Sequence, residues 1–497
     1  MLEYQLIGKD IGQKIKGYKK TIDVLDAGQV VASNDGVITV EGLQDVKSNE
    51  LLRLDNGNFA LALNLEEDNV GAIVLNEAVV PARALVYTTG EIVSVPVGEE
   101  LLGRVINSLG EPLDGEKAPE CKSRRHVEYP APEIMDRDKV SEPLYTGIKA
   151  IDSMIPIGKG QRELIIGDRK TGKTTIAIDA ILNQKGKDVI CVYVAIGQKA
   201  STVARIVNTL KNGGALPYTV VVASTSAQSA PMQYLAPYTG TAIAEYFMYK
   251  GKDVLIVYDD LTKHAVAYRT ISLLLKRPSG REAYPGDVFF IHSRLLERSA
   301  KLSKAKGGGS LTALPIVETL AGDISAYIPT NIISITDGQI YLEEELFNAG
   351  MRPAVNVGLS VSRVGGSAQV KAMRKVASKT RLTLAHYRET ALFSRFGSDV
   401  DKNTLAVIEQ GERLTEAMKQ SQHKPLSMAQ MVITLDIMMK DLLKDVAVKD
   451  VRSTLDGFLA YLTSNYPNVI KAIERSNDYT DNNSSIVENA LKKYLSL

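Results

Sequence analysis

One short segment constrains the fold of this 497-residue chain more than any other. Residues 167–174 read GDRKTGKT and match the phosphate-loop pattern G-x-x-x-x-G-K-[ST]. An apolar run precedes the segment, and a run with helical spacing follows it. The loop is therefore predicted to join a buried strand to the start of a helix, as in α/β nucleotide-binding folds.

The residue types in this loop indicate that it binds the phosphates of a nucleoside triphosphate. Glycines let backbone N–H groups turn toward phosphate oxygens, and the helix N-terminus adds partial positive charge. Lys173 supplies a mobile point charge for the outer phosphates, and the Thr174 hydroxyl is placed to bind Mg²⁺. The alternative, a structural turn without a ligand, is disfavoured by the correct flanking elements. The motif consists of Gly167, Asp168, Arg169, Lys170, Thr171, Gly172, Lys173 and Thr174.

A second strand signal ends in an acid. Val254 to Tyr258 is an apolar run followed directly by Asp259. In phosphate-loop enzymes such an acid supports Mg²⁺, usually through water, beside the hydroxyl of the loop. Asp260 is the weaker candidate because it lies one residue past the strand end. We therefore expect Thr174 and Asp259 to hold Mg²⁺.

The end of a third predicted strand bears on catalysis. Tyr193 to Ile196 runs into Gly197 and Gln198. An ATPase with a general base would place a carboxylate here, whereas an amide can orient water but cannot accept a proton at neutral pH. The sequence predicts a site that binds nucleotide and hydrolyses it poorly.

Charge and hydropathy exclude several classes of protein. The formal net charge is +1, so no overall field attracts the chain to nucleic acid or anionic lipid. The two cysteines lie far apart without metal-ligand spacing. No uncharged apolar run approaches the roughly 18 residues of a membrane span, and the N-terminus lacks a signal-peptide core. We expect a soluble, intracellular protein that meets a membrane only through partners.

The hydrophobic patterns predict a multidomain α/β protein with four segments. They are an amphipathic helix over residues 1–22, a small β-barrel over 23–84, a doubly wound phosphate-loop domain over 85–369 and a helical domain over 370–497. The first helix either packs on its own domain or docks another subunit. Near the C-terminus, Ser485 and Glu488 have the spacing of a capping box, which predicts a helix start at Ser485.

The predicted barrel raises the alternative of an OB-like fold that binds nucleic acid. Such barrels stack bases on several aromatic side chains. Phe59 is the only aromatic residue in the predicted barrel strands. The sequence therefore favours a structural barrel and predicts no nucleic-acid partner.

Long blocks of the chain resemble the α subunits of F-type ATP synthases. The resemblance covers essentially the whole chain, from NLEEDNVGAIVL in the predicted barrel to RLTEAMKQSQHKPLSMAQ in the helical part. Residues 321–369 match the family without a break. The other matching blocks are GDRKTGKT from Gly167, AIGQKASTVARIV from Ala195, YDDLTKHAVAYR from Tyr258, GREAYPGDVFFIHSRLLERSAKL from Gly280 and SLTALPIVET from Ser310.

The resemblance implies a barrel, a central nucleotide domain and a C-terminal helical bundle. It also implies an alternating α3β3 ring around a rotating γ stalk, with δ and a peripheral stalk as further partners, on the cytoplasmic side of the cell membrane. The family's α site is noncatalytic, in agreement with the argument from Gln198. By motif, ATP or ADP would contact Lys170, Gly172, Lys173, Thr174 and Thr175, with Gln420 and Gln422 at the adenine.

The resemblance also implies a residue that acts outside its own site. Arg363, in the sequence SVSRVGG, is similar to the arginine finger that α inserts into the neighbouring β site. A guanidinium can cross an interface and neutralise charge on a transferring phosphoryl group. A surface salt bridge is the alternative for a lone arginine. Ser360 in the same loop matches a serine linked to activity in the family.

Four residues depart from the usual family pattern. Lys170 stands where glutamine is usual, Leu320 replaces a common glutamine, His423 a common tyrosine and Glu133 a common glycine. These changes either tune nucleotide affinity or mark a specialised relative.

Two other classes of protein remain open at this point. One is an α-like subunit of a ring ATPase that drives another motor or a secretion process instead of proton transport. The other is an RNA-translocating hexamer with a similar plan, which predicts basic and aromatic contacts that the barrel sequence lacks.

Overall fold

The computed structural model describes residues 26–75, 79–394 and 402–496. The chain divides between Ile92 and Val93 into two compact units. The predicted amphipathic helix over residues 1–22 lies outside the described residues and stays a prediction.

The first unit is a closed barrel of six antiparallel strands in the order β1-β2-β5-β4-β3-β6. Apolar side chains from the strands fill its interior, including Ile38, Leu52 and Val86. Bulges in β1, β4 and β6 interrupt the pairing and help the sheet to close. The strands are β1 Ala27–Asn34, β2 Val37–Glu41, β3 Glu50–Leu54, β4 Phe59–Leu65, β5 Asn69–Val74 and β6 Leu85–Ile92.

The predicted boundary of the barrel at residue 84 is wrong. Strand β6 continues to Ile92 and closes the barrel by pairing with both β1 and β3. Only Val86 in this strand is buried, so its alternation is too weak to be recognised from the sequence. The predicted start of the nucleotide domain at residue 85 is wrong for the same reason.

The second unit contains an eight-stranded sheet in the order β16-β15-β10-β14-β13-β11-β12-β8. Neighbouring strands are parallel except for β16, which runs antiparallel to β15 at one edge. A separate ribbon pairs β7 Ser94–Val97 with β9 Ser123–His126. The strands of the large sheet are β8 Val105–Ile106, β10 Leu164–Gly167, β11 Val189–Gln198, β12 Thr219–Thr225, β13 Asp253–Asp259, β14 Ser310–Glu318, β15 Gly338–Leu342 and β16 Val361–Ser362.

Helices cover this sheet and continue into the C-terminal part of the chain. The helices up to residue 348 are α1 Lys149–Met154, α2 Lys173–Leu182, α3 Ala200–Asn212, α4 Ala230–Tyr249, α5 Leu261–Leu274, α6 Val288–Leu296, α7 Tyr327–Ile335 and α8 Glu344–Asn348. The C-terminal helices are α9 Lys371–Ser394, α10 Lys402–Met418, α11 Met428–Met439, α12 Val451–Asn465, α13 Pro467–Ser476 and α14 Asp481–Leu495.

The sheet and the C-terminal helices share one hydrophobic core. Buried residues as distant in sequence as Ile165 and Leu491 belong to the same cluster. The predicted architecture of barrel, nucleotide-binding sheet and helical region is thus confirmed. Among the helices in the described ranges, none is long and apolar enough to span a membrane.

The sheet places the predicted site residues together at the carboxyl ends of its strands, which form its carboxyl edge. Strands β10, β11 and β13 are parallel and end at Gly167, Gln198 and Asp259. Because the carboxyl ends of parallel strands meet at one edge, these residues lie together there.

Candidate nucleotide-binding site

The backbone of the phosphate loop depends on residues with positive φ. Gly167 ends β10 at φ +157°, and a Cβ there would lie 2.4 Å from the carbonyl oxygen of Leu342. Lys170 adopts φ +65° although it is not glycine, and Gly172 adopts φ +104° directly before helix α2. The loop therefore turns sharply, and its N–H groups and the helix N-terminus form the anion-binding geometry predicted from the motif.

Lys173 is held over this loop by its own backbone. Its Nζ donates to the carbonyl oxygens of Gly167 at 2.8 Å and Asp168 at 2.6 Å. Burial lowers the pKa of the Lys173 ammonium, while the nearby carboxylates of Glu318 and Asp260 oppose that shift. The side chain is only 6% exposed, so its charge acts in a site that is largely shielded from water.

Asp168 fixes the loop to the segment that follows strand β14. Its carboxylate accepts from the Thr319 hydroxyl at 2.6 Å and from the Gly322 N–H at 2.8 Å. Arg169 forms an ion pair with Glu318 at 2.9 Å, with the arginine largely exposed. The Thr171 hydroxyl donates to the Asp168 carbonyl at 2.8 Å. These contacts hold the loop in place.

The predicted magnesium residues are in direct contact. The Thr174 hydroxyl donates to Asp259 Oδ2 at 2.7 Å. The Tyr193 hydroxyl donates to the same oxygen at 2.7 Å. One hydroxyl and one carboxylate suit Mg²⁺ bound mainly by water and by nucleotide phosphates. In the described part of the chain no cluster of three His, Cys, Asp or Glu side chains forms a metal site.

The Gln198 amide lies beside this pair. Its Nε2 donates to Asp259 Oδ1 at 3.1 Å. The amide thus stands at the end of β11, where a catalytic carboxylate was considered. It can fix the orientation of Asp259 but cannot take a proton from water at neutral pH.

Asp260, the weaker magnesium candidate, caps helix α5. Its Oδ1 accepts from the Lys263 backbone N–H at 2.8 Å. Burial and the neighbouring Asp259 raise the pKa of Asp260 to about 7, and Lys263 partly offsets the shift. The two consecutive acids therefore face different tasks, and Asp259 remains the candidate for Mg²⁺.

A cavity of about 350 Å³ continues from the loop toward the C-terminal helices. Its walls combine residues that are distant in sequence. They are Ile148, Thr171, Gly172, Thr175, Ile176, Asp179, Phe347, Arg352, Pro353, Ala354, Gln420, Ser421, Gln422 and Arg452. A cavity with apolar and aromatic walls next to a phosphate loop has the character of a base-binding pocket.

The two residues predicted to contact adenine, Gln420 and Gln422, differ in how far their side chains are already hydrogen-bonded. Gln420 Oε1 accepts from the Lys149 N–H at 3.0 Å, and its Nε2 donates to the carbonyls of Gly147 at 2.7 Å and Lys424 at 2.9 Å. Both amide hydrogens of Gln420 are thus engaged with the backbone. Gln422 is exposed and lines the cavity.

One departure from the usual family pattern lies beside this pocket. The backbone N–H of His423 donates to Asp179 Oδ1 at 2.8 Å, and its ring Nδ1 lies 3.1 Å from the same oxygen. Burial raises the pKa of Asp179, while the contacts with His423 oppose that shift. Leu320 is 77% exposed, and Glu133 precedes a short turn of helix.

The loop that carries Arg363, residues 359–366, is called the finger loop here. Its residues Ser362 and Arg363 lie at the amino ends of the sheet strands, opposite the carboxyl ends that carry the phosphate loop. Gly338 pairs with Ser362 at the start of β15, whereas Leu342 pairs with Gly167 at its end. At about 3.3 Å per residue, the four steps along β15 separate the two positions by roughly 13 Å.

Arg363 is exposed, and its guanidinium makes no hydrogen bond or ion pair within the described residues. Only its backbone is fixed, by a 2.8 Å bond from its N–H to the Asp337 carbonyl. Ser360, by contrast, is buried: its hydroxyl donates to the Asn356 carbonyl at 2.6 Å and accepts from the Tyr341 N–H at 2.9 Å. Its link to activity stays a prediction and would act through the loop backbone.

The structure thus brings most predicted residues together and sets two apart. The phosphate loop, Gln198 and Asp259 form one cluster, and Gln420 and Gln422 line the adjoining cavity. Arg363 belongs to the other edge, and Ser360 lies between the two, bonded to the Tyr341 N–H. Sequence reasoning missed Tyr193, because a tyrosine in an apolar strand is usually a core residue. It also missed Phe347 and Arg352, for which no local signal exists.

The strand–loop–helix geometry and the hydroxyl–carboxylate pair define a phosphate-loop nucleotide-binding protein. Residues 147–362 match the nucleotide-binding domain of the ATP synthase alpha/beta family. Residues 369–494 match the C-terminal domain of the ATP synthase alpha/beta chain.

Two relatives identify the family of this phosphate-loop protein. The ATP synthase subunit alpha of Clostridium botulinum strain Eklund 17B is 59% identical over 485 residues, covering 97% of this chain and 96% of the relative. The ATP synthase subunit alpha of Clostridium acetobutylicum is 57% identical over the same coverage. The chain belongs to the family of ATP synthase alpha subunits, which confirms the resemblance inferred from its motifs.

Proposed function

We propose that this chain is the noncatalytic, regulatory nucleotide-binding alpha subunit of the F1 sector of a proton-translocating ATP synthase. It binds ATP or ADP with Mg²⁺ at its own phosphate loop. It supplies Arg363 in trans to the catalytic site of the neighbouring beta subunit.

The observation that carries the noncatalytic assignment is the amide of Gln198. It points at Asp259 from the strand end where a general base would stand, with 3.1 Å between Nε2 and Oδ1. Without a carboxylate there, the attacking water of a bound MgATP has no proton acceptor at that position. Binding and hydrolysis are therefore separated in this chain.

The position of Arg363 supports the action in trans. The residue lies at the opposite sheet edge from its own phosphate loop, roughly 13 Å along the strand direction by the spacing of about 3.3 Å per residue. Its guanidinium is exposed and unpaired within the described residues. A cation so placed is available to a phosphoryl group on an adjoining subunit.

The proposed assembly follows from the family. The chain alternates with beta subunits in an α3β3 hexamer around gamma, with delta and the peripheral stalk as further partners. The complex lies on the cytoplasmic side of the cell membrane, which this chain reaches through other subunits. Native purification tests this part: membrane-sector subunits should accompany the chain, whereas the components of another motor would favour the secretion or motility alternative.

The noncatalytic assignment is tested on the isolated chain. Purified without beta, it should bind MgATP in equilibrium dialysis and show negligible steady-state hydrolysis. Substantial multiple-turnover hydrolysis by the beta-free chain would contradict the assignment. Assaying beta alone in parallel provides the reference for contaminating activity.

A further inference from the structure

The segment directly before strand β10 contains a buried acid that the proposed nucleotide site does not use. Glu163 is fully buried, and its Oε1 has no hydrogen-bond partner in the described part of the chain. Buried carboxyl groups are costly unless they are paired, so such a group calls for a specific explanation. Burial raises the pKa of the Glu163 carboxyl well above its ordinary value.

The other oxygen of this carboxyl leads toward the finger loop. Glu163 Oε2 accepts from the Gln161 amide Nε2 at 2.7 Å. The same nitrogen donates to the Ser362 hydroxyl at 3.3 Å. That hydroxyl in turn donates to the Pro156 carbonyl at 2.7 Å. Glu163 is therefore connected through one amide to the residue directly before Arg363.

The backbone is also in close contact at this point. A Cβ at Gly338 would lie 2.2 Å from the Val361 carbonyl oxygen and 2.7 Å from Glu163 Oε2. The carboxyl group can lie this close to the start of β15 only because residue 338 is glycine. Any side chain there would displace either the strand that precedes Arg363 or the buried acid.

A second set of contacts holds the backbone N–H of Arg363 itself. The Arg162 guanidinium binds Asp337 with two nitrogen–oxygen distances of 3.0 and 2.8 Å. The Asp337 carbonyl accepts from the Arg363 N–H at 2.8 Å. The three consecutive residues from Gln161 to Glu163 therefore hold Ser362 and, through Asp337, the backbone N–H of Arg363.

We propose that Glu163 is a positioning residue for Arg363, acting through the Gln161 amide and Ser362 to fix the strand from which the arginine projects. This inference rests on the proposed role of Arg363 in trans. The Glu163 carboxyl holds the amide at 2.7 Å and, within the described residues, makes no hydrogen bond or ion pair with the Arg363 guanidinium. Arg363 is thereby fixed at its backbone and left free at its charged end.

The test uses the ring reconstituted from this chain with beta and gamma subunits. Glu163→Leu and Gln161→Leu each remove the link and should lower kcat roughly 10- to 100-fold, since small misplacements of a catalytic group have effects of this order. KM for ATP and the nucleotide content of the alpha site should stay unchanged. Glu163→Gln keeps an acceptor for Gln161. The kcat of this variant should therefore remain within about threefold of the wild-type value.

Two comparisons separate positioning from general loosening. Thr312→Val is the matched control, because it removes the 2.8 Å bond from the Gly160 N–H to the Thr312 hydroxyl without touching the finger loop. It should leave kcat unchanged. In an Arg363→Lys background, Glu163→Leu should cause no further loss, because residues that act as one unit are not additive.

Each outcome decides the inference. It is overturned by additive losses in the double variant, by equal losses in Thr312→Val, by a Glu163→Gln ring as slow as the Glu163→Leu ring, or by unchanged turnover in both leucine variants. If Glu163→Leu fails to assemble, Gln161→Leu decides alone, since it leaves the buried acid intact. If Arg363→Lys itself turns over normally, the proposed function fails instead, which is a distinguishable result.

Discussion

The phosphate loop and the finger loop occupy opposite edges of one sheet and are built in opposite ways. In the phosphate loop the functional cation, Lys173, is buried and bonded to its own backbone. In the finger loop the backbone is fixed while the cation of Arg363 is exposed and unpaired among the described residues. The first arrangement completes a site within the chain. Under the proposed function, another molecule supplies the phosphate for the second.

Under the proposed function, the carboxyl edge binds a ligand and the amino edge serves the chemistry of a neighbouring subunit. At the carboxyl edge the acid of the magnesium pair is surrounded by Thr174, Tyr193 and Gln198, none of which can accept a proton from water. At the amino edge the chain offers a guanidinium suited to a developing phosphoryl charge. We therefore expect damage at the two edges to have separable consequences.

The largest effect is expected for Arg363→Lys. Lysine keeps the charge but loses the planar fork that meets phosphoryl oxygens at two points. Arginine fingers are worth on the order of 10³ to 10⁵ in rate, so ATP hydrolysis by the reconstituted ring should fall by roughly that factor. Nucleotide content of the alpha site should be nearly unchanged.

Steady-state ATPase and nucleotide content per subunit decide this prediction. A ring that turns over within about threefold of wild type, a loss far smaller than the removal of an arginine finger causes, would make Arg363 an ordinary surface arginine. A ring that fails to assemble would make the residue structural. Either result would remove the contrast between the two edges.

The next effect should appear at the other edge, with Lys173→Ala. The variant removes the point charge for the outer phosphates, so the isolated chain should lose at least about 100-fold in MgATP affinity, which corresponds to the loss of a strong charge-assisted contact. Equilibrium dialysis measures the effect. The finger loop is untouched, so its backbone contacts should be retained.

Arg169→Ala is the matched control for Lys173→Ala. Arg169 lies in the same loop, but its side chain is exposed and paired with Glu318. Its removal should change affinity only slightly, because exposed ion pairs contribute little. Wild-type retention of nucleotide by Lys173→Ala would mean that the loop has been misinterpreted.

The smallest effect is expected for two buried histidines, His264 in helix α5 and His292 in helix α6. His264 Nε2 lies 3.0 Å from the Tyr234 carbonyl, so it donates; its Nδ1 then accepts from His292 Nε2 at 3.1 Å. Burial lowers the pKa of His292 to about 4 and that of His264 well below its ordinary value. The unfolded chain protonates both near pH 6.5, so their contribution to stability is complete above that pH and is lost as the pH falls toward 4.

His292→Gln keeps a donor for His264 and removes one titrating group. The variant's free energy of unfolding should therefore fall less steeply than that of wild type between pH 6.5 and 5, by about 1 to 2 kcal/mol over the range. Urea unfolding of the isolated chain at several pH values measures this slope. Parallel curves for the two proteins would show that the histidine pair is not the group titrated.

Patterns local in sequence predicted much of the molecule. The phosphate loop, Asp259 at the end of β13 and Gln198 at the end of β11 were all found from strands and the residues that follow them. The three-part architecture was also predictable, because the period of the hydrophobic pattern changes between its parts. The assignment of individual site residues to nucleotide and metal remains a prediction.

Features that depend on distant partners could not be predicted. The 3.3 Å contact between Gln161 and Ser362 joins residues 201 positions apart. Strand β6 depends on pairing with β1 and β3 rather than on its own weak alternation. The predicted helix start at Ser485 is wrong, because helix α14 begins at Asp481 and Thr480 is its N-cap. A spacing motif within an already formed helix carries no boundary information.

Strand β10 has a consequence for how this chain can change over generations. One end of the strand forms the phosphate loop, and the three residues before its other end fix the backbone around Arg363. A one-residue slip would turn every side chain of a strand to the opposite face, so both ends would be lost at once. A lineage that no longer needed nucleotide at Gly167 would still have to keep Leu164 to Gly167 in register for the sake of its neighbour. Under the proposed function, the noncatalytic site and the arginine that acts in trans would be inherited together.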